Sequence, residues 1–297
     1  MTYASSERGQ ANMSAMAVGG DRLAWYFLRV SGALLVVFAL THMFFTHYLN
    51  VPSETTFDFV ANRWANPLWR SFDWILLLAA LWHGVIGLRY SISDWVRSAG
   101  WRQILFSLLW VVGLIFTVLG SVTILSFDEA AARDNTGPLA GAFWIADLLG
   151  FSLFAFAVGT YLSIVALGVW IYRNLKAGIT PIYHGDPGQY AWVMHRLTGI
   201  GILFFLLVHI IDIMLIGLGR DVYDESVEFY AHPFLLPMEI LLVGAVIYHT
   251  LNGLRIIAID FTPSGTLRQR TYFWWVLAGS VILTIPSAII IFAKELF

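Results

Sequence analysis

Seven apolar stretches, each long enough to cross a lipid bilayer as a helix, constrain the fold of this chain more than any other feature. They run over residues 23–48, 69–93, 103–127, 144–172, 191–218, 235–259 and 271–296. A spanning helix needs about 20 apolar residues, and only 12% of the 297 residues are charged. Because backbone groups in lipid must hydrogen-bond internally, we expect an all-α bundle of seven transmembrane helices.

Basic residues fall mostly on one side of these stretches. Of the 17 Lys and Arg residues, 12 lie in segments on the same side as the N-terminus. Since basic residues favour the cytoplasmic face, we expect the N-terminus in the cytoplasm and the C-terminus outside a prokaryotic plasma membrane. Residues 1–20 lack the apolar core of a signal peptide and are predicted to form a flexible cytoplasmic arm.

The sequence contains an internal duplication. WYFLRVSG from Trp25 aligns with WVMHRLTG from Trp192, and HGVIGLRYSISD from His83 aligns with HTLNGLRIIAID from His249. Each repeat holds three predicted spans, so one additional crossing at 144–172 allows the two repeats to lie parallel, related by a pseudo-two-fold axis along the membrane normal. The predicted domains are a first repeat at 21–127, a linker at 128–190 and a second repeat at 191–297.

Four histidines lie inside the predicted spans and form two pairs under the duplication. His42 corresponds to His209, and His83 corresponds to His249. Ionisable residues inside a membrane are costly and suggest function, and a two-fold axis would bring equivalent imidazoles face to face. Ligation by two imidazoles suits a b-type haem. With arginines as markers of the inner face, the pairs lie about 10 Å apart in depth, which predicts two stacked haems.

Two other readings of these histidines stay open at this point. Zinc needs three or four clustered ligands, and the only acidic residue about one turn from one of these histidines is Asp212, which follows His209. A proton-relay transporter would also use intramembrane histidines and acids, although its helices are usually broken near the midplane. The chain has no cysteine, which excludes disulfides and thiolate-held iron–sulfur clusters.

The motifs as a set resemble the cytochrome b membrane-anchor subunits of succinate dehydrogenase and fumarate reductase, known as complex II. A His-x3-Gly-x-Arg motif with an Asp five residues later begins at His83 and at His249, and MHRLTG begins at Met194. The C-terminal half is similar to the larger anchor and the N-terminal half to the smaller one, as in a fusion. The resemblance implies that His83 and His249 ligate the proximal haem iron, and that His42 and His209 ligate the distal one.

The resemblance also implies a quinone site near the cytoplasmic face. The expected quinone contacts are Trp95, Trp192, His195 and Arg196, together with Arg29 and Ser31. Ubiquinone enzymes of the family carry a Ser and a Tyr where this chain has Trp192 and Trp95, so menaquinone is the preferred substrate.

Several charged residues receive expected roles around these sites. Arg89 and Arg255 are expected to pair with haem propionates. Asp94 and Asp260 are expected to neutralise those two arginines or to cap helix ends. Asp73 and its counterpart Glu239, at outer helix ends, are candidates for exchanging protons with a quinol at an outer site.

The predicted function is a subunit of succinate:quinone oxidoreductase that binds two haems b and passes electrons between an iron–sulfur subunit and a membrane quinone. The chain itself has no predicted catalytic residue for succinate oxidation. Expected partners are a flavoprotein and an iron–sulfur subunit on the cytoplasmic face, lipid and quinone, without nucleic acid; a higher oligomer of the complex stays open. The alternatives are a two-haem anchor of another quinone-linked dehydrogenase, such as a formate dehydrogenase or hydrogenase, and a haem-free transporter.

Overall fold

The computed structural model describes residues 3–50, 52–134, 136–177, 187–229, 232 and 234–296, and within them it contains helices and turns but no β-strand. The α-helices are α1 (Tyr3–Met43), α2 (Phe57–Ala65), α3 (Pro67–Trp95), α4 (Ala99–Leu125), α5 (Glu129–Arg133), α6 (Trp144–Lys176), α7 (Pro187–Met214), α8 (Arg220–Phe229), α9 (Leu236–Phe261) and α10 (Gln269–Leu296). The prediction of an all-α multi-pass bundle is confirmed. The predicted linker at 128–190 includes residues 135 and 178–186, which lie outside the described residues.

Six of the seven predicted stretches are long and apolar enough in the described residues to cross a membrane, whereas the predicted span 144–172 yields only a shorter apolar helix, Trp144–Ala155. The six are Asp21–Thr46, Pro67–Trp95, Ala99–Leu125, Pro187–Leu218, Leu236–Phe261 and Gln269–Ala293. Local signals set their starts: Asn66 caps α3 by accepting a hydrogen bond from the Leu68 amide, and Ser98 caps α4 through the Trp101 amide.

The N-terminal arm is helical in the structure, in contrast to the flexible arm expected from the sequence. The first helix begins at Tyr3 and continues without a break into the first span. Once a helix is nucleated, each further residue adds one hydrogen bond. Residues 3–18 include four Ala, two Met, one Glu, one Arg and one Gln, all residues with high helix propensity, so the long apolar helix extends backwards through them.

Four helices form the centre of the bundle: α1 and α3 from the first repeat, and α7 and α9 from the second. Helix α3 packs on α7, and α1 packs on α9, which is the same contact after exchange of the repeats. Helices α4 and α10 pack outside α3 and α9. The approach of α3 to α7 is close at Gly84, where a Cβ atom would lie 2.7 Å from Cδ1 of Leu203.

The two repeats run in the same direction. Near the start of the span Asp21–Thr46 and of α7, Arg29 contacts Asp260 at the end of α9, and Arg196 contacts Asp94 at the end of α3. Thirteen residues further along each first helix, His42 faces His209. The chain must therefore return from the outer end of α4 to the inner start of α7. Helix α6 has 33 residues, about 50 Å in length, which is sufficient for this return.

Short elements cover the outer end of the bundle. Helix α1 continues as a π-helix over Phe44–Leu49, whereas α7 continues as a tighter 3-10 helix over Leu215–Leu218. Helices α2, α5 and α8 are joined by Asp58, whose carboxylate contacts both Arg133 and Arg220. Burial raises the pKa of the Tyr223 phenol in α8 well above its usual value, and the nearby carboxylates of Asp212 and Asp224 act in the same direction. The two repeats are thus alike at the inner end and different at the outer end.

Candidate functional site

The structure brings the inner pair of histidines together between α3 and α9. The ring centres of His83 and His249 lie 6.3 Å apart, with the ring planes at 85°. Each ring comes from the second spanning helix of its repeat, so equivalent residues meet at one depth.

The Nδ1 atom of each inner histidine has a neutral acceptor. Nδ1 of His83 lies 2.9 Å from the Ser31 hydroxyl, which donates its own proton to the Phe27 carbonyl. Nδ1 of His249 lies 3.0 Å from the His195 carbonyl and 3.2 Å from the Thr198 hydroxyl. Both rings therefore donate from Nδ1, which leaves each Nε2 with a free lone pair for a metal.

Glycines allow the inner imidazoles to lie against the first helix of their own repeat. A Cβ atom at Gly199 would lie 2.8 Å from Cε1 of His249, and one at Gly32 would lie 3.4 Å from Cε1 of His83. One turn after His83, a Cβ atom at Gly87 would meet nothing within 4 Å. The space beside Gly87 is compatible with the edge of a macrocycle, the role that its position after His83 indicates.

The outer pair also meets across the interface between the repeats. The ring centres of His42 and His209 lie 6.1 Å apart at an interplanar angle of 71°. The Phe205 ring stacks on His209 at 5.6 Å. Nδ1 of His42 is buried and has no hydrogen-bond partner among the described residues.

An ionic network lies beside His42. Arg63 donates two hydrogen bonds to Asp73, of 2.8 and 2.9 Å, and the Trp64 indole donates a third of 3.0 Å. The nearer Asp73 oxygen, Oδ1, lies 3.6 Å from Nδ1 of His42.

Both histidine spacings fit an iron held between two imidazoles. Metal–imidazole bonds of about 2 Å, with roughly 1 Å more from each nitrogen to its ring centre, separate two ring centres by about 6 Å. Eleven residues of α1 separate Ser31, at the level of His83, from His42, a rise of about 16 Å. This rise exceeds the depth difference of about 10 Å expected from the sequence, because that expectation assumed that the marker arginines of the inner face lie at one depth.

Four of the predicted quinone contacts, three from the second repeat and Trp95 from the first, gather at the inner end of the bundle. The Trp95 and Trp192 rings lie 6.4 Å apart, and the Arg196 guanidinium lies 4.0 Å above the Trp192 ring. His195 stacks on His249 with ring centres 3.9 Å apart. Nδ1 of His195 and Nε of Arg196 are buried and have no hydrogen-bond partner among the described residues. These two donor groups are therefore free to bind a polar ligand atom.

The other two expected quinone contacts lie in the mirror image of this cluster. Arg29 lies 4.7 Å from the Trp25 ring and hydrogen-bonds Asp260 at 2.6 and 2.9 Å. Ser31 is 4% exposed, and its hydroxyl contacts His83. The mirror cluster has Leu28 and Phe261 where the cluster around Trp192 has His195 and Trp95.

The aspartates after the His-x3-Gly-x-Arg motifs were expected to neutralise the arginines of their own motif or to cap helix ends. In the structure they do not pair with those arginines. Asp94 pairs with Arg196, and Asp260 pairs with Arg29. Each ion pair thus joins the two repeats, and the two pairs are equivalent under the duplication. The reason is packing: α3 lies against α7 and α1 against α9, so the nearest cation belongs to the other repeat.

The expected propionate partners contact other groups. Arg89 hydrogen-bonds Asp21 at 3.1 Å and lies near the Phe106 ring. Arg255 is 8% exposed and donates to the Gln269 carbonyl at the start of α10. Six residues after a histidine, a side chain on a regular helix points about 120° away from it, which explains these directions.

The zinc reading requires three or more clustered ligands. Over the part of the chain that the structure describes, no group of three His, Asp or Glu side chains is placed to hold a metal ion.

Comparison with known proteins agrees with this geometry. The family of succinate dehydrogenase/fumarate reductase transmembrane subunits matches residues 13–119 and 172–286, one segment in each repeat and more than half of the chain. The chain belongs to this family. It is a multi-pass membrane-anchor subunit, whose relatives work with the catalytic subunits of an enzyme complex.

Two relatives are similar to part of this chain over most of their own length. The membrane subunit SdhC of succinate dehydrogenase 2 from Mycobacterium tuberculosis is 37% identical over 110 residues, 37% of this chain and 81% of the relative. The succinate dehydrogenase hydrophobic membrane anchor subunit of Halobacterium salinarum is 24% identical over 118 residues, 39% of this chain and 91% of the relative. Each match is therefore about as long as one repeat of this anchor subunit.

Sequence reasoning missed the groups that hold the histidine rings. Thr198 and Gly199 contact His249, as Ser31 and Gly32 contact His83. The duplication aligns SG with TG two positions after the matching arginines Arg29 and Arg196, and that alignment was the signal for both contacts.

Proposed function

We propose that this anchor subunit of a succinate:quinone oxidoreductase binds two haems b, a proximal one between His83 and His249 and a distal one between His42 and His209. The observation that carries the proposal is the spacing of the two mirrored pairs, whose ring centres lie 6.3 and 6.1 Å apart. Each haem, when bound, supplies a one-electron carrier between an iron–sulfur subunit and a membrane quinone.

The residues around each pair orient the ligands and keep water away. Ser31 and the His195 carbonyl accept from the Nδ1 atoms of the proximal ligands, which fixes the tautomer with Nε2 free. Buried side chains of α3, among them Leu81 and Val85, surround this level.

We place a quinone at the inner cluster of Trp95, Trp192, His195 and Arg196. The partner-free Nδ1 of His195 and Nε of Arg196 support hydrogen bonding to a quinone carbonyl, and the indoles offer broad apolar faces. The two tryptophans stand where ubiquinone enzymes of the family have Ser and Tyr, which favours menaquinone. Arg29 and Ser31 are at most indirect contacts of this quinone. Arg89 and Arg255 would need other rotamers to reach propionates.

The catalytic subunits dock on the cytoplasmic face in this proposal. The chain has no cysteine, so thiolate-held iron–sulfur clusters belong to a partner subunit, and we assign the flavin of succinate oxidation to the flavoprotein subunit. The excess of basic residues on the N-terminal side supports a cytoplasmic location of that face.

Haem counting on the intact purified complex, with its subunits identified by mass spectrometry, tests this proposal. We expect two haems b per chain by the pyridine haemochrome assay. Replacing any one of the four histidines by Ala should remove about one haem, whereas His232→Ala, in an exposed outer position, should remove none. A parent complex with one haem would contradict the distal site, and a complex without a b-type band would contradict both.

A further inference from the structure

The surroundings of the Nδ1 atom distinguish His42 from the two proximal histidines. Nδ1 of His83 and of His249 has a neutral oxygen at 2.9 and 3.0 Å. Nδ1 of His42 is buried without a hydrogen-bond partner in the described part of the chain. If Nε2 of His42 binds iron, Nδ1 carries a proton that requires an acceptor.

The nearest acceptor is the Asp73 carboxylate. Its Oδ1 atom lies 3.6 Å from Nδ1 of His42, so a shift of well under 1 Å would complete a hydrogen bond of usual length. Oδ1 already accepts one hydrogen bond from Arg63 and retains a second lone pair. The carboxylate is 12% exposed, and the Arg63 side chain is 11% exposed, so water competes little for that lone pair.

We propose that Asp73 is a positioning residue for the distal iron ligand: its carboxylate accepts the Nδ1 proton of His42 and makes this imidazole a stronger electron donor than the proximal ligands. The inference rests on the proposed haem sites. A carboxylate acceptor raises the basicity of a ligating imidazole, and a more basic ligand stabilises the oxidised iron. Asp73 therefore gives the distal haem a lower midpoint potential than the same haem would have if a neutral group accepted the Nδ1 proton of His42.

Arg63 limits this effect. Its guanidinium forms two hydrogen bonds with the same carboxylate, so it withdraws negative charge from the oxygen that faces His42. Loss of Asp73 and loss of Arg63 should consequently move the distal potential in opposite directions. A role confined to packing would not produce that opposition of sign.

The test is potentiometric titration of the haem spectrum in the purified complex. Asp73→Asn should raise the distal midpoint potential, Arg63→Gln should lower it, and the proximal potential should change in neither. Asp58→Asn is the matched control, because it removes an outer carboxylate that contacts Arg133 and Arg220 instead of His42; it should leave both potentials unchanged.

Haem counting separates failure of this inference from failure of the proposed sites. A parent complex with fewer than two haems contradicts the sites themselves. Two haems with a distal potential that is unchanged in Asp73→Asn, or that shifts equally in Asp58→Asn, overturns the role of Asp73. If Asp73→Asn fails to assemble, Arg63→Gln decides: a lower distal potential supports the inference, and an unchanged or higher one overturns it.

Discussion

The proximal histidines are held by unequal numbers of acceptors, although their surroundings are related by the duplication. His83 depends on the Ser31 hydroxyl, whereas His249 has both the Thr198 hydroxyl and the His195 carbonyl. Since outer-shell partners of a metal-bound histidine are commonly worth about 10- to 100-fold in affinity, the two hydroxyls should matter differently.

Ser31→Ala should weaken retention of the proximal haem by about 10- to 100-fold, because the Nδ1 proton of His83 loses its acceptor. Thr198→Ala is the matched variant and should have a smaller effect, since the His195 carbonyl remains. Haem release from each purified complex to a haem-scavenging globin measures this difference. Equal release rates in the two variants would contradict the assigned tautomers.

Gly199→Ala should displace the His249 ring, because the new Cβ atom would lie 2.8 Å from Cε1 and the ring is held by two acceptors. We expect loss of about half of the haem, as one of two sites fails. Gly32→Ala, with 3.4 Å to the His83 ring, should retain both haems. Pyridine haemochrome assays on both variants make the comparison, and full retention in Gly199→Ala would show that the ring is free to move.

At the level of helices, the reciprocal ion pairs Arg29–Asp260 and Arg196–Asp94 join the inner ends of the repeats. Their side chains are 20 to 38% exposed, so solvent screens them. We expect a coupling of about 0.2–1 kcal/mol within each pair in double-mutant cycles to Ala, measured by unfolding in detergent. Substitutions of Arg89 and Asp94 should have additive effects on the free energy of unfolding. Strong coupling between these two residues would support the neutralisation first expected from the motif.

The outer helix α8 predicts a pH dependence of stability. Because burial raises the pKa of Tyr223, the folded protein keeps a phenolic proton that the unfolded chain loses above a pH of about 10. Stability from this residue is therefore present below that pH and is lost as the pH rises. Tyr223→Phe should reduce the drop in Tm between pH 8 and 10.5. Tyr172→Phe, at an exposed tyrosine, should leave the drop unchanged; a parallel change in both variants would contradict the assignment to Tyr223.

For the whole molecule, the parallel repeats predict that α6 crosses the membrane. The absence of cysteine allows single cysteines to report the side of each loop. A membrane-impermeant maleimide applied to intact cells should label Gly137→Cys between α5 and α6, and should label Ser98→Cys and Ala177→Cys only after the cells are opened. Labelling of Gly137→Cys and Ala177→Cys from the same side would contradict the crossing.

The helices could be predicted from the sequence because apolar length is a local signal, and the histidine pairs could be predicted because the aligned motifs of the duplication match them. The directions of Arg89 and Arg255 could not, since their partners Asp21 and Gln269 come from other helices. The partners of Asp94 and Asp260 depended in the same way on which repeat supplies the neighbouring helix. The helical arm before Asp21 was missed because its polar composition suggested flexibility, although a long adjoining helix makes its extension inexpensive.

The covalent connection through α6 also changes how the two halves associate. Two separate anchor chains would meet at a concentration set by their expression, whereas α6 makes the association of the second repeat with the first intramolecular. A substitution that weakens the contact of α3 with α7 would then loosen the interface without releasing either half. Haem ligation by the four histidines should accordingly survive a loss of packing between the repeats that would separate the chains of a two-chain anchor with the same geometry.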